Sequence, residues 1–402
     1  MTYDPFGYLA AELDELKAKG LYRMPRVLEG KQEHDTNFDG REVVNLSSNN
    51  YLGLTTHPKL IAAEHAAIDR FGAGSGSVRT IAGTMRDHVI LEERIAAFKH
   101  TEAALVYQSG FTANAGTVSA VLGKEDVIVS DELNHASIID GCRLSRAKIA
   151  VFKHGDVADL RRVMEEVKGN YRRTLVITDG VFSMDGDIAP LPDIVEVAEQ
   201  YQAIIMVDDA HASGVVGKEG RGTVDHFGLH GRVHIQVGTL SKAIGCLGGY
   251  VAGSRTLIDY LIHKARPFLF STSHPPAVTA AALAAFELLQ TEEGHQLIDR
   301  LWENTRYFKA GLGRLGFNTG NSETPITPVI VGDGALAMQL SDRLFQEGIF
   351  AQGIGFPTVA NDKSRVRTIV TATHTREDLD KALAAFEKVG LELGLIQPVG
   401  AR

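Results

Sequence analysis

Ile204-Ile205-Met206-Val207-Asp208-Asp209-Ala210-His211 is an apolar run closed by acids, and Gly238-Thr239-Leu240-Ser241-Lys242, after Val233, Ile235 and Val237, sets a lone lysine among small residues. Short apolar runs of this kind read as buried strands, so both motifs fall at strand ends. A carboxylate at such an end can keep the pyridine nitrogen of pyridoxal phosphate protonated, and a lysine on a neighbouring turn can form a Schiff base with it. Taken singly, each motif also reads as an ordinary strand-end Asp or a solvated Lys. Together, in this order and spacing, they favour the cofactor.

Outward from this pair the pattern alternates. Apolar runs at 104–107, 127–130, 175–178, 204–207, 233–237 and 250–252 are separated by helical spacings such as Leu91, Ile95 and Phe98. The fold class predicted is α/β, a mostly parallel central sheet with helices on both faces. After an alanine-rich helix at 277–289 the pattern changes to a helix at 293–315, strands at 327–331 and 366–372, and a last helix. That helix is capped by Thr375 with Asp378 three later and buries Leu379, Leu383 and Phe386. At the other end, Asp4-Pro5 reads as a cap and first helical residue, Leu9, Leu13 and Leu16 as one face, and Gly20 as the stop. Asp39-Gly40 signals a hairpin. The expected division is an N-terminal segment 1–47 that joins a small domain, a large cofactor-binding domain 48–290, and a small α+β domain 291–402.

Lys and Arg total 41 against 50 Asp and Glu, a net charge of −9. That balance argues against nucleic acid or an anionic membrane as partner, while allowing a local basic pocket. Two cysteines, Cys142 and Cys246, exclude a disulfide framework or a cysteine zinc site and point to a reducing compartment. There is neither an apolar run near the ~20 residues of a membrane span nor a signal-peptide pattern, so a cytoplasmic location is expected.

Other strand ends carry chemistry too. Ser109-Gly110-Phe111 opens a helical stretch, where backbone N–H groups can cradle a phosphate. Gly72-Ala73-Gly74-Ser75-Gly76-Ser77 lacks the Lys of a nucleotide loop and the third Gly of a dinucleotide loop, and reads as an active-site or subunit-contact loop. His135, in Asp131-Glu132-Leu133-Asn134-His135-Ala136-Ser137, can stack on a planar cofactor or serve as a hydrogen-bonded loop residue. Ser183 places a hydroxyl in Thr178-Asp179-Gly180-Val181-Phe182-Ser183-Met184-Asp185-Gly186. Ligands of open parallel sheets bind at such ends.

With Ser47-Ser48-Asn49-Asn50-Tyr51-Leu52-Gly53-Leu54, Phe270-Ser271-Thr272-Ser273-His274-Pro275-Pro276 and Arg365-Val366-Arg367 added in the same order, residues 21–395 resemble the α-oxoamine synthases. These are pyridoxal-phosphate enzymes of fold type I. The resemblance implies that Lys242 carries the cofactor as a Schiff base and later moves the substrate's Cα proton. It implies Asp208 at the pyridine nitrogen, His211 at the phenolic oxygen, and His135 stacked on the ring with Ser183 beside it. Gly110, Phe111 and Thr239 would hold the phosphate, and Ser271 and Thr272 that of a neighbouring subunit, which implies a homodimer with shared sites. Asn49 and Arg367 match positions near the amino-acid substrate, with Arg365 second in line for its carboxylate. Arg23 and Arg26 lie where the acyl tail is handled, either being equally readable as surface charge. Ala212, and Ser241 before the lysine, replace frequent glycines without removing a reactive group.

The activity implied is acyl transfer from an acyl-CoA to an amino acid, with no metal. Glycine plus acetyl-CoA, giving 2-amino-3-ketobutyrate, stands first. Alanine plus pimeloyl-CoA, giving 8-amino-7-oxononanoate with decarboxylation, is the alternative, as is an enzyme with both specificities. An aminotransferase or aldolase would share Asp208 and Lys242 without needing CoA. A non-enzymatic regulator is disfavoured because no DNA-binding segment is appended.

Overall fold

The computed structural model describes residues 4–19, 22–356 and 358–398. Thirteen strands define it: β1 (Asp35–Phe38), β2 (Arg41–Asn45), β3 (Ala103–Tyr107), β4 (Val127–Asp131), β5 (Lys148–Phe152), β6 (Thr174–Asp179), β7 (Ile204–Asp208), β8 (Ile235–Thr239), β9 (Gly249–Gly253), β10 (Ile326–Gly332), β11 (Ile349–Phe350), β12 (Gln352–Ile354) and β13 (Ser364–Ile369). Seven of them form one sheet in the order β3-β9-β8-β7-β6-β4-β5, parallel except for β9. This is the mixed, mainly parallel sheet of fold type I.

Every residue of β3, β4, β8 and β9 is buried, because helices cover both faces. Alternate residues feed opposite layers: Val127, Val129, Ile205 and Val207 pack into one apolar cluster, Ile128 and Met206 into the other. The connection from β4 runs to β5 on one side, while that from β6 runs to β7 on the other. The crevice outside their carboxyl ends is therefore a topological switch point, where such sheets bind ligands.

Two three-stranded sheets lie apart from the large one. β13 sits between β10 and β12, with Arg367 opposite Pro328 and Gln352 and Arg365 opposite Ile330 and Ile354. Pro328 lacks an N–H, which an edge strand tolerates. The hairpin β1–β2 turns at Asp39 and Gly40, with φ of 52° and 75°, and pairs through β2 in parallel with β11. Val44 and Leu46 thereby enter the core built by Phe308, Leu340, Val366 and Phe386.

Three sequence expectations change. The first helix spans Gly7–Ala18 rather than starting at Pro5, because the Asp4 carboxylate accepts from Phe6 N (2.9 Å) and closes a turn ahead of it. That helix buries no residue: Leu9, Leu13 and Leu16 all remain exposed, since nothing among the described residues packs over them. The stop signal at Gly20 lies outside the described residues. Strand β5 adds to the predicted runs: Ile149-Ala150-Val151-Phe152 is apolar throughout, yet as an edge strand β5 is only half-buried. Among the described residues no helix is long and apolar enough to cross a membrane.

Candidate active site

Five strand ends converge on one cavity of about 180 Å³, lined by Ser109, Gly110, Phe111, His135, Ser137, Asp179, Ser183, Asp208, Ala210, His211, Thr239, Ser241 and Lys242. Asp208, the last residue of β7, is buried there. Its Oδ1 accepts from Ala210 N (2.8 Å) and its Oδ2 from Asn114 Nδ2 (2.6 Å). The same amide also donates to Ser137 Oγ (2.9 Å), and Ser137 Oγ lies 2.7 Å from His135 Nδ1. Because Ser137 N–H also donates to Nδ1 (3.2 Å), that nitrogen is the acceptor and Nε2 of His135 carries the proton. One chain of hydrogen bonds thus links the acid of β7 to the histidine after β4.

Asp179 ends β6 directly beside Asp208 in register and accepts from His135 N (2.8 Å). Burial, then repulsion from Asp208, raises its carboxyl well above the usual range. Lys242 follows β8. Burial pulls its ammonium below the ordinary lysine value, against the opposing pull of Asp208 and Asp179. No hydrogen bond from its amine to another described residue holds it.

His211 is kept neutral, chiefly by burial and then by Lys242 and Arg367. Its Nδ1 lies 2.7 Å from the hydroxyl of Tyr51, whose ionisation burial opposes. Tyr51 has no other partner among the described residues, so its O–H donates to Nδ1 and leaves Nε2–H of His211 free to donate.

The phosphate cradle is built locally. Ser109 caps the helix Gly110–Val121, its Oγ accepting from Thr112 N (3.1 Å). A Cβ on Gly110 would stand 3.4 Å from that of Thr239, and one on Gly249 would strike Gly110 N at 2.4 Å. Gly249 in particular leaves this space open beside the helix N-terminus, where the backbone favours an anion. A buried acid, an unengaged amine, a neutral histidine donor and an open anion cradle fit pyridoxal phosphate as a donor set.

The remaining expected residues divide. Arg367 Nη1 donates to Ser183 O (3.1 Å), which brings β13 to the cavity's rim. Arg365 is fully buried and engaged with Asp185 Oδ1 (2.5 Å), Met184 O (2.9 Å) and Lys363 O (2.9 Å). Asn49 does not line the cavity, but its Oδ1 is buried without a partner among the described residues. Ser271 and Thr272 lie outside the cavity too, on a segment that bridges to Val78 and is tied to the 72–77 loop by Ser75 Oγ (2.8 Å to Ser273 O). Arg23 lines a different cavity, with Met338, Gln352, Ile354, Phe356 and Thr358. Arg26 is occupied by Asp39 and Asp342 and lies 3.6 Å over the Phe345 ring. Asn114, Ser137, Asp179 and Tyr51 join the site without a role predicted from sequence. Asp179 offered the same signal as Asp208, an acid closing an apolar run.

Residues 41–386 match the family described as aminotransferase class I and II. The chain is 65% identical over 389 residues to 8-amino-7-oxononanoate synthase of Symbiobacterium thermophilum, covering 97% of this chain and 99% of that one. It is 59% identical over 391 residues to 8-amino-7-oxononanoate synthase 1 of Bacillus subtilis, with 97% and 99% covered. Among solved structures, Sphingomonas wittichii serine palmitoyltransferase superposes with a TM-score of 0.92 at 34% identity, covering 99% of this chain and 100% of that one. A structure described as SPT with PLP internal aldimine gives 0.92 at 32%, covering 98% and 100%. With a family match across most of its length and relatives this similar, the chain belongs to the aminotransferase class I and II family, as a pyridoxal-phosphate-dependent α-oxoamine synthase.

Proposed function

We propose that this chain is an 8-amino-7-oxononanoate synthase, joining alanine to pimeloyl-CoA with release of CoA and carbon dioxide. The observation that carries the reading is the name shared by relatives 65% and 59% identical over nearly the full length of both chains. It favours the second of the two sequence readings over glycine with acetyl-CoA. The cavity holding Arg23 supports it as well. Met338, Ile354 and Phe356 suit a methylene chain, and Arg23, half-exposed and paired with Asp342 through one nitrogen (3.5 Å), keeps donors for a terminal carboxylate, which an acetyl group lacks.

Bound pyridoxal phosphate supplies an electron sink that stabilises negative charge on the amino acid's Cα. Asp208, its two oxygens fixed by Asn114 and the Ala210 N–H, would face the pyridine nitrogen and hold its proton. His211 would donate from Nε2 to the phenolic oxygen. The N–H groups at Gly110 and Phe111, with Thr239, would take the phosphate, and His135 would cover the ring with Ser183 beside it. Lys242 takes the Cα proton onto Nζ; its lowered pKa leaves a fraction of the amine free to accept it. Arg367 keeps donors for the substrate carboxylate, whereas Arg365 is committed to Asp185. Asn49, with its unpaired oxygen, is the second substrate contact. The Cα–C bond to the acyl carbon forms as the C–S bond breaks and the sulfur leaves with its electron pair. Loss of the carboxylate as carbon dioxide then returns charge to Cα, which Lys242 reprotonates. Ser271 and Thr272, outside this cavity, would serve the phosphate of a second copy in a homodimer.

The test crosses glycine, alanine and serine with acetyl-, pimeloyl-, succinyl- and palmitoyl-CoA, following free thiol and product mass. Alanine with pimeloyl-CoA should give the highest kcat/KM and a decarboxylated product. A higher value for glycine with acetyl-CoA, carboxylate retained, would overturn the assignment.

A further inference from the structure

His154, just beyond β5, lies outside the cavity yet is held on both ring nitrogens. Nδ1 is 3.1 Å from Asp131 Oδ1 and Nε2 is 2.8 Å from Asp187 Oδ2. A neutral imidazole has one N–H and cannot donate to both carboxylates, whereas the imidazolium donates to each. Hydrogen bonds and charge from the two acids outweigh partial burial and raise its pKa to about 10. Asp131 is itself fixed at the end of β4, accepting from Leu133 N (2.9 Å) and Gly155 N (3.0 Å).

Asp187 belongs to the 181–188 loop, which a bridge between Val181 and Ile188 closes into a small hairpin. The His154 ring also packs edge-on against Phe182, centroids 4.3 Å apart, directly beside Ser183. The small sheet meets the same loop from the other side. Arg365 reaches Met184 and Asp185, Arg367 reaches Ser183 O, and Glu323 N and Thr324 N donate to Gly186 O. Gly186 has φ of 73°, and a Cβ there would stand 2.3 Å from Ile326 O, so the approach is close. The loop therefore seats Ser183 in the cavity and anchors Arg367, and His154 is its ionic tie to β4 and β5.

We propose that His154 is a positioning residue, a fixed cation that pins the 181–188 loop so that Ser183 and Arg367 are aligned for cofactor and substrate. The inference rests on the reading of Arg367 as the partner of the substrate carboxylate.

Holo-protein carrying His154→Gln, Asp187→Asn or both is assayed for alanine KM and kcat, and the cofactor's visible circular dichroism is recorded without substrate. Each single change should raise KM roughly tenfold while kcat moves less than about threefold, and the double variant should be no worse than the weaker single, since both cut one tie. The dichroic band should alter in all three. Arg367→Lys is run beside them. If it leaves KM unchanged, the Arg367 assignment fails, and the pin is judged by the dichroic band and its non-additivity alone. An unchanged band in both single variants, effects that add in the double, or losses confined to the melting temperature would overturn the pin.

Discussion

Asn114 shows how one side chain ties two others together. Its amide reaches both Asp208 and Ser137, and Ser137 reaches His135, so the acid proposed for the pyridine nitrogen and the histidine proposed to cover the ring share a support. A hydrogen bond to a charged group contributes about 1.5–3 kcal/mol. Asn114→Ala is expected to lower kcat about 10- to 100-fold with an unchanged far-ultraviolet spectrum, as steady-state kinetics would show; wild-type kcat would refute the linkage. Asp208, His211 and Lys242 were legible in the sequence because each follows an apolar run. Asn114 was not, because a polar residue between Ala113 and Ala115 looks the same whether its face meets solvent or a cavity.

Elements meet beneath the same strand end. The helix Arg86–Lys99 sends its last residue to Asp209, with Lys99 Nζ 2.8 Å from Oδ2 and both side chains wholly buried. Thr223 Oγ1 donates to the other oxygen (2.6 Å). Removing one partner of such a pair leaves a charge stranded in the interior, at a cost of about 3–5 kcal/mol. Lys99→Met should therefore lower the urea midpoint of unfolding substantially at fixed cofactor concentration, and an unmoved midpoint would show that Asp209 finds another partner. Element types were readable where burial is two-sided, as in β4 and β7, because a strand covered on both faces needs apolar residues at consecutive positions. The edge strand β5 carries a similar run, Ile149 to Phe152, yet stays half-exposed, so such a run does not by itself report two-sided burial. The first helix carries an apolar spacing that the described chain leaves uncovered.

Across the whole molecule, the site depends on partners distant in sequence. Hairpin β1–β2 pairs with β11 some three hundred residues later, and β13 delivers Arg367 to a loop that follows β6. Local periodicity announced these pieces, but only tertiary pairing separates Arg367, at the cavity, from Arg365, locked on Asp185, since alternate residues of one strand share a face. All of this architecture brings one amine, without a partner among the described residues, into a cavity with two buried acids, Asp208 and Asp179. Borohydride reduction of the purified holo-protein, followed by peptide mapping, examines that arrangement directly. A single pyridoxyl group on Lys242, with loss of the visible absorbance, is the predicted result; a label on any other lysine, or none, would contradict it.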